Sequence, residues 1–215
     1  MQEDNSGGAM VKQKLTEFII RSEEAADFAE ISALIYTSFL RAQQLTEFII
    51  RSEEAADFAE ISALIYTSFL RAQHRDGTEQ DLVGRLRTSA AFVPELALVA
   101  EQGQNLIGYL LLSEISIGKQ TALALAPLAV IPRCQKQGVG AALIKRGHEL
   151  ARKLGYPCIV VLGSDSYYPK FGYQPAEKFG IIAPFEVPSN YFMVYPLGDN
   201  LTIQGQVNYP PEFKL

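Results

Sequence analysis

Residues Leu15 to Gln43 read LTEFIIRSEEAADFAEISALIYTSFLRAQ, and residues Leu45 to Gln73 repeat them letter for letter. A fold that accepts this chain must house the unit twice or leave one copy over. Solenoids need at least three repeats and tolerate drift between them, so the pair reads as a duplication of one unit. The unit is strand plus helix. Glu47-Phe48-Ile49-Ile50-Arg51 is apolar and extended in character. Ser52 is a candidate helix cap, with Glu53 and Glu54 in the first turn, where the helix dipole favours acids. Phe58, Ile61, Ile65 and Phe69 recur at helical spacing and make one apolar face. Both copies offer identical contacts, so connectivity decides which one fills the native slot. Using the first copy makes about thirty residues loop out, at roughly 3 kcal/mol of closure entropy. The expectation is an extension over residues 1–44, carrying the spare unit at 15–43, and one domain over residues 45–215. The spare unit keeps an apolar helix face, which predicts self-association.

Beyond the repeat, apolar and turn residues alternate on a short scale. Asp76-Gly77-Thr78 is a turn before a second helix, with Leu82, Val83 and Leu86 on its apolar side. Glu95–Glu101 and Leu106–Ile117 are strands joined by Gly103-Gln104-Asn105, a hairpin pattern. Gly118-Lys119-Gln120 is the next turn. Thr121–Ile131 is an apolar run of the kind buried on both faces of a sheet. After Pro132 comes a polar loop, Arg133–Gly140. Ala141–Leu154 is then helical, with Leu143, Leu150 and Leu154 on one face and Gly155 as its stop. Cys158–Leu162 is a short strand, Asp165–Phe171 a turn and short helix stopped at Gly172, and strands near Tyr173 and at Tyr191–Tyr195 finish the core. Strands and helices in this order predict a mixed α/β domain.

Bulk properties exclude several classes. With 48% hydrophobic and 20% charged residues, the chain is expected to bury a core rather than stay disordered. A formal charge of −5 without a basic run argues against nucleic acid as the main partner. Cys134 and Cys158 form no CxxC pair and only two His accompany them, so no zinc or other metal site is expected. The polar N-terminus and the shortness of every apolar run predict a cytoplasmic protein without a membrane segment.

The segment that carries chemistry is Ala126-Pro127-Leu128-Ala129-Val130-Ile131-Pro132-Arg133-Cys134-Gln135-Lys136-Gln137-Gly138-Val139-Gly140-Ala141. It sets a glycine-bearing turn between a buried strand and a helix. Free amides at a helix start attract anions, and glycine lets the backbone come close. A diphosphate is the natural guest of the amides from Gln137 to Ala141, although a GxG turn alone more often serves only the turn. The spacing is neither GxGxxG nor GxxxxGK[ST], so it fits poorly with dinucleotide-fold and P-loop readings.

Gln135-x-x-Gly138-x-Gly140 resembles the acetyl-CoA signature (Arg/Gln)-x-x-Gly-x-(Gly/Ala) of the GNAT acetyltransferase superfamily. Tyr168-Pro169-Lys170-Phe171-Gly172-Tyr173 resembles its Tyr-x-x-x-Gly-Phe element, with Tyr in place of the final Phe. APLAVIPRCQKQGVG, VVLGSDSYYPKFGY and the tail Gly205-Gln206-Val207-Asn208-Tyr209-Pro210 are similar to the YhbS-like branch. The likeness runs from about Phe48 to the C-terminus, and the duplicated unit is its clear departure. The resemblance implies an α/β fold with a mostly antiparallel sheet flanked by helices, and acetyl-CoA as co-substrate. It implies cofactor contacts from Leu128, Ala129, Val130, Gln135, Lys136, Gln137, Gly138, Val139, Gly140, Ala141 and Tyr168. The implied reaction is direct acetyl transfer to a primary amine. The Val130 amide, on a splayed fourth strand, would stabilise the oxyanion, and Tyr168 would protonate the leaving thiolate.

That chemistry also needs a base, because an amine of pKa near 10.4 is uncharged in only ~1 molecule in a few thousand at neutral pH. Glu114, at the end of the third strand, and Asp165 are the candidate bases. Each also reads as a solvated or capping carboxylate. Tyr168, with a reference pKa near 10, lies above a thiol at about 8.5, a gap that a helix start could narrow. Arg133 and Lys136 are candidate phosphate contacts or plain solvated cations. His148 reads as a surface histidine, and Cys134 as incidental. Two other classes remain open: a non-catalytic acyl-CoA sensor with the same cofactor loop, and a structural fragment that binds no CoA.

Overall fold

The structure is a computed structural model that describes Ser32, residues 47–70 and residues 78–214. The first copy of the repeat, Ser32 apart, and the Asp76-Gly77 turn lie outside the described residues. The chain divides into two units at Glu47/Phe48, and the elements below lie in Phe48–Leu215.

Strand β1 (Ile49–Ser52) pairs antiparallel with β2 (Ala97–Gln102), Ile49 opposite Glu101 and Ser52 opposite Leu98. So among the described residues it is the second copy's strand that sits on the sheet. Arg51 pins it. Its Nε donates to Glu101 Oε2 at 2.7 Å, and its two terminal nitrogens reach Asp57 at 2.6 and 2.9 Å. Asp57 in turn accepts from the Glu54 amide at 2.7 Å, closing a capping box over a 3-10 turn, Ala55–Asp57. Helix α1 (Phe58–Phe69) follows. Its N-cap is therefore Asp57, five residues beyond the Ser52 cap expected from sequence, with the 3-10 turn closed by Asp57 on the Glu54 amide between them. Ile61, Leu64 and Ile65 are its buried face. Phe58 stays exposed, with the Arg87 guanidinium 3.9 Å above its ring. Arg87, just past α2 (Glu79–Leu86), forms a two-pronged ion pair with Glu53 at 2.8 and 2.7 Å.

Strands β2, β3 (Asn105–Ile117) and β4 (Gln120–Val130) form an antiparallel meander. The two-residue turns fall at Gly103-Gln104 and Gly118-Lys119. Helix α3 (Val139–Lys153) then crosses to β5 (Cys158–Leu162), which lies parallel to β4. Strands β6 (Gln174–Pro175), β7 (Ile181–Ile182), β8 (Phe192–Pro196) and β9 (Gly205–Asn208) complete a sheet ordered β1-β2-β3-β4-β5-β8-β6, with β9 against the end of β3 and β7 against β9. The result is a mixed α/β fold with a mostly antiparallel sheet. Helix α3 covers one face through Leu143, Ile144 and Ala151, and α1 and α2 cover the other around Tyr109 and Leu111.

Helix α3 corrects the sequence reading in two ways. It begins at Val139 rather than Ala141 and buries Leu143, Ile144, Gly147, His148 and Ala151. Leu154, assigned to the apolar face, is 46% exposed, whereas His148, assigned to the surface, is 6% exposed. Of the expected face only Leu143 is fully buried, and the buried stripe runs instead through Ile144, Gly147, His148 and Ala151.

Candidate active site

Strands β4 and β5 are in register only at Leu123–Ile159 and Ala124–Val160. Beyond Ala124, β4 runs on to Val130 without a partner on that side among the described residues, and the two strands fork. On its other side β4 stays with β3, across a register shift between Leu110 and Leu112. Ile131 N donates to Ile107 O at 3.1 Å. Bonded and non-bonded pairs alternate in an antiparallel ladder. The pairs Gly108–Val130 and Leu110–Leu128 therefore turn their main-chain polar groups away from each other. The amides of Val130 and Leu128 point into the fork, while Ala129 faces the α1 side among buried residues.

The loop after β4 is braced by its own glutamines. Gln135 Nε2 donates to Val130 O at 3.0 Å, and Gln137 Nε2 to Arg133 O at 2.7 Å. Pro132–Cys134 is a 3-10 turn rather than open loop, and Cys134 tucks into the core. Lys136 and Gly138 both take positive φ, 61° and 88°. The N-cap position of α3 is Gly138, where a side chain would be strained. The first-turn amides of Val139, Gly140 and Ala141 have no partner within the helix, and the ladder closes only with Ala142 N to Gly138 O at 2.9 Å. These amides open beside the mouth of the fork: a Cβ on Gly140 would stand 3.6 Å from Val130 Cγ2 and 3.8 Å from Leu128 Cδ2. Arg133 and Lys136 are exposed.

Tyr168 opens the 3-10 turn Tyr168–Phe171, stopped by Gly172 at φ 91°. Its ring lies on Gly163, where any side chain would overlap Tyr168 Cε2. It packs edge-on against Tyr167 and Tyr173, with centroids 5.3 and 5.4 Å away. Burial, then the neighbouring Tyr167, lifts the Tyr168 hydroxyl well above the usual phenol range. The helix-start effect expected to lower it does not prevail. Tyr173, where the family motif ends in Phe, places its hydroxyl 3.1 Å from His148 Nε2 at the edge of the ring, and Tyr195 stacks on a face of that imidazole at 3.8 Å. Burial, with Arg152 nearby, lowers the His148 pKa to about 4.

The histidine has a measurable consequence. Its folded pKa lies below the unfolded value near 6.5, so the unfolded chain binds the proton first. Stability is therefore full above pH 6.5 and falls as the pH drops toward 4, by up to ~3 kcal/mol. A chemical-denaturation series from pH 7 to 4 should show this loss, and His148→Phe, which keeps the stack on Tyr195, should flatten it.

The candidate bases do not join the fork. Glu114 pairs with Leu123, at the opposite end of β4 from Val130, and its Oε1 accepts from Tyr156 OH at 2.5 Å beyond the far end of α3. Glu114 thus lies level with Leu123, where β4 and β5 are still paired, at the closed base of the fork. Asp165 lies on the loop from β5 to Tyr168 but accepts from Asn190 Nδ2 at 2.6 Å on the surface. So β4, the α3 start and the Tyr168 turn come together, and both carboxylates stay outside. Sequence reasoning passed over Tyr167, whose hydroxyl stands 2.7 Å from where a Gly140 Cβ would be. The Tyr-Tyr doublet was its only signal.

Residues 59–173 match the acetyltransferase (GNAT) family. YjhQ of Escherichia coli, described as an uncharacterized N-acetyltransferase, is 36% identical over 118 residues. That match spans 53% of this chain and 65% of YjhQ, just under two thirds of the relative. The crystal structure of the E. coli GNAT-family N-acetyltransferase YhbS in complex with CoA has a TM-score of 0.72 at 28% identity, covering 78% of this chain and 92% of YhbS. A Brucella melitensis GNAT-family acetyltransferase in complex with acetyl-CoA has a TM-score of 0.66 at 29% identity, covering 78% of this chain and 98% of its own. With more than half its length inside the family match and its sheet forked beside a glycine-capped helix, the chain belongs to the GNAT family of acetyltransferases.

Proposed function

We propose that this protein transfers the acetyl group of acetyl-CoA to a primary amine, by direct attack in the β4/β5 fork. The observation that carries the reading is the convergence of the Leu128 and Val130 amides with the α3 first turn, in a family whose solved relatives hold CoA and acetyl-CoA. The Gln135–Ala141 loop and first turn would seat the pyrophosphate, with Lys136 beside it. Leu128, Ala129 and Val130 would line the pantetheine. The Val130 amide would donate to the oxyanion of the tetrahedral intermediate, and Tyr168 to the departing sulfur. With Glu114 and Asp165 outside the fork, the amine would lose its proton to water. The acceptor would be a small molecule or a peptide amine, and the setting cytoplasmic, where acetyl-CoA is supplied.

Saturating acetyl-CoA, at about a hundred times Kd, should stabilise the fold by ~2.7 kcal/mol and raise Tm by roughly 5–10 °C. Incubation with acetyl-CoA and a panel of primary amines should release free thiol. The exclusion of both carboxylates from the fork favours a second reading, an acyl-CoA sensor. Stabilisation without thiol release for any amine would favour it, and absence of both would sink the cofactor assignment. We also propose self-association through the spare unit; a solution mass that stays monomeric from micromolar to hundreds of micromolar would count against it.

A further inference from the structure

Tyr167 has no role in the reaction described above, yet it stands where the cofactor's phosphates would lie. Its ring is wedged edge-on between Tyr168, at 5.3 Å, and Phe171, at 5.1 Å. Its hydroxyl reaches the first turn of α3, into the notch left by the missing side chain of Gly140, and Leu128 and Val130 bound the same notch. No hydrogen bond from this hydroxyl to another described residue forms. One uncommitted O–H thus stands against the helix turn whose three leading amides have no helical partner.

We propose that Tyr167 is a cofactor-positioning residue whose hydroxyl donates to the pyrophosphate of CoA, and that Gly140 is glycine to make room for it. The inference rests on the reading of the α3 start as the pyrophosphate seat. Burial lifts the Tyr167 hydroxyl above its usual range, so it remains a donor throughout the neutral and mildly alkaline range. Because the ring leans on Tyr168, an anion on the hydroxyl also fixes the turn that carries Tyr168. The family motif allows Gly or Ala at the position of Gly140. Here Ala would sit 2.7 Å from Tyr167 Oη, and the atom in the way is the tip of a side chain. The fold therefore survives the substitution, and Tyr167 moves.

The test is a double-mutant cycle read by calorimetric binding of CoA and of pantetheine, which lacks the phosphates, with pantetheine measured as a competitor. Tyr167→Phe should weaken CoA about tenfold or more, as expected for a lost hydrogen bond to a charged group, and leave pantetheine unchanged. Gly140→Ala should weaken CoA comparably with Tm held. Gly140→Ala combined with Tyr167→Phe should be no weaker than the worse single variant, because both remove one contact. Equal losses for CoA and pantetheine, no loss in Tyr167→Phe, or losses that multiply in the double variant would each overturn the inference while leaving the seat intact. Failure of the wild type to bind CoA would overturn seat and inference together.

Discussion

Tyr168→Phe is expected to lower kcat for acetyl transfer about a hundredfold, with KM for acetyl-CoA nearly unchanged. The variant keeps the ring that packs on Gly163 and against Tyr173 and removes only the oxygen, so fold and cofactor seat should stand. The direction of the pKa shift sharpens the expected signature. A phenol lifted by burial lies far above a thiol at about 8.5, so complete proton transfer to the leaving thiolate is uphill. Tyr168 is better suited to hold a hydrogen bond to the sulfur as charge develops, with solvent delivering the proton afterwards. Two results follow. The wild-type kcat should show no falling limb from Tyr168 up to about pH 10, since the group stays protonated there. The hundredfold deficit of Tyr168→Phe should be the same at every pH in that range. An unchanged kcat in the variant would remove Tyr168 from the chemistry, and a deficit that vanishes at alkaline pH would mean that its pKa is far lower than burial makes it.

Sequence carried the local signals and lost the long-range ones. Gly103-Gln104 and Gly118-Lys119 marked the meander because each turn is decided within four residues. Gly138 marked the turn into α3 for the same reason, although Gly140 already lies inside the helix. The boundary of α1 moved because Asp57, a residue already inside the expected helix, binds Arg51 and the Glu54 amide at once, and that double use depends on where β1 lies. His148 sits at i+4 from Ile144 and three before Ala151, so its spacing was legible. Its burial was not, because it depends on Tyr173, just before β6, and Tyr195, on β8, arriving from later in the chain. The place of Glu114 was not legible, because distance along β3 has to be turned into position relative to the fork. Only the register, Glu114 opposite Leu123 and Gly108 opposite Val130, sets the two ends apart. Tyr167 showed only as half of a Tyr-Tyr doublet, because its partner notch is made by a missing atom, the Cβ of Gly140.

The duplicated unit leads to the other large effect. Ile65 is fully buried in the layer of α1 and α2. In an ordinary domain Ile65→Asp would put an unpaired carboxylate there and cost more than about 4 kcal/mol, enough to unfold many proteins. Here the slot has a second candidate. The polar and aromatic groups by which the unit engages the domain, Arg51 on Glu101, Glu53 and Phe58 on Arg87, Glu60 on the Leu106 amide, and Asp57 closing the cap, have their counterparts in Arg21, Glu23, Phe28, Glu30 and Asp27 of the first copy. Exchange of copies would restore each contact and cost only the longer loop, roughly 3 kcal/mol. Ile65→Asp alone should therefore lose no more than that, a Tm decrease of about 6–12 °C with a cooperative transition retained. Ile35→Asp alone should stay within about 0.5 kcal/mol of wild type. Ile35→Asp combined with Ile65→Asp should abolish cooperative folding, an effect far beyond the sum of the singles. If Ile65→Asp alone fails to fold, the first copy cannot enter the slot, and the two identical sequences are kept apart by more than the length of the loop between them.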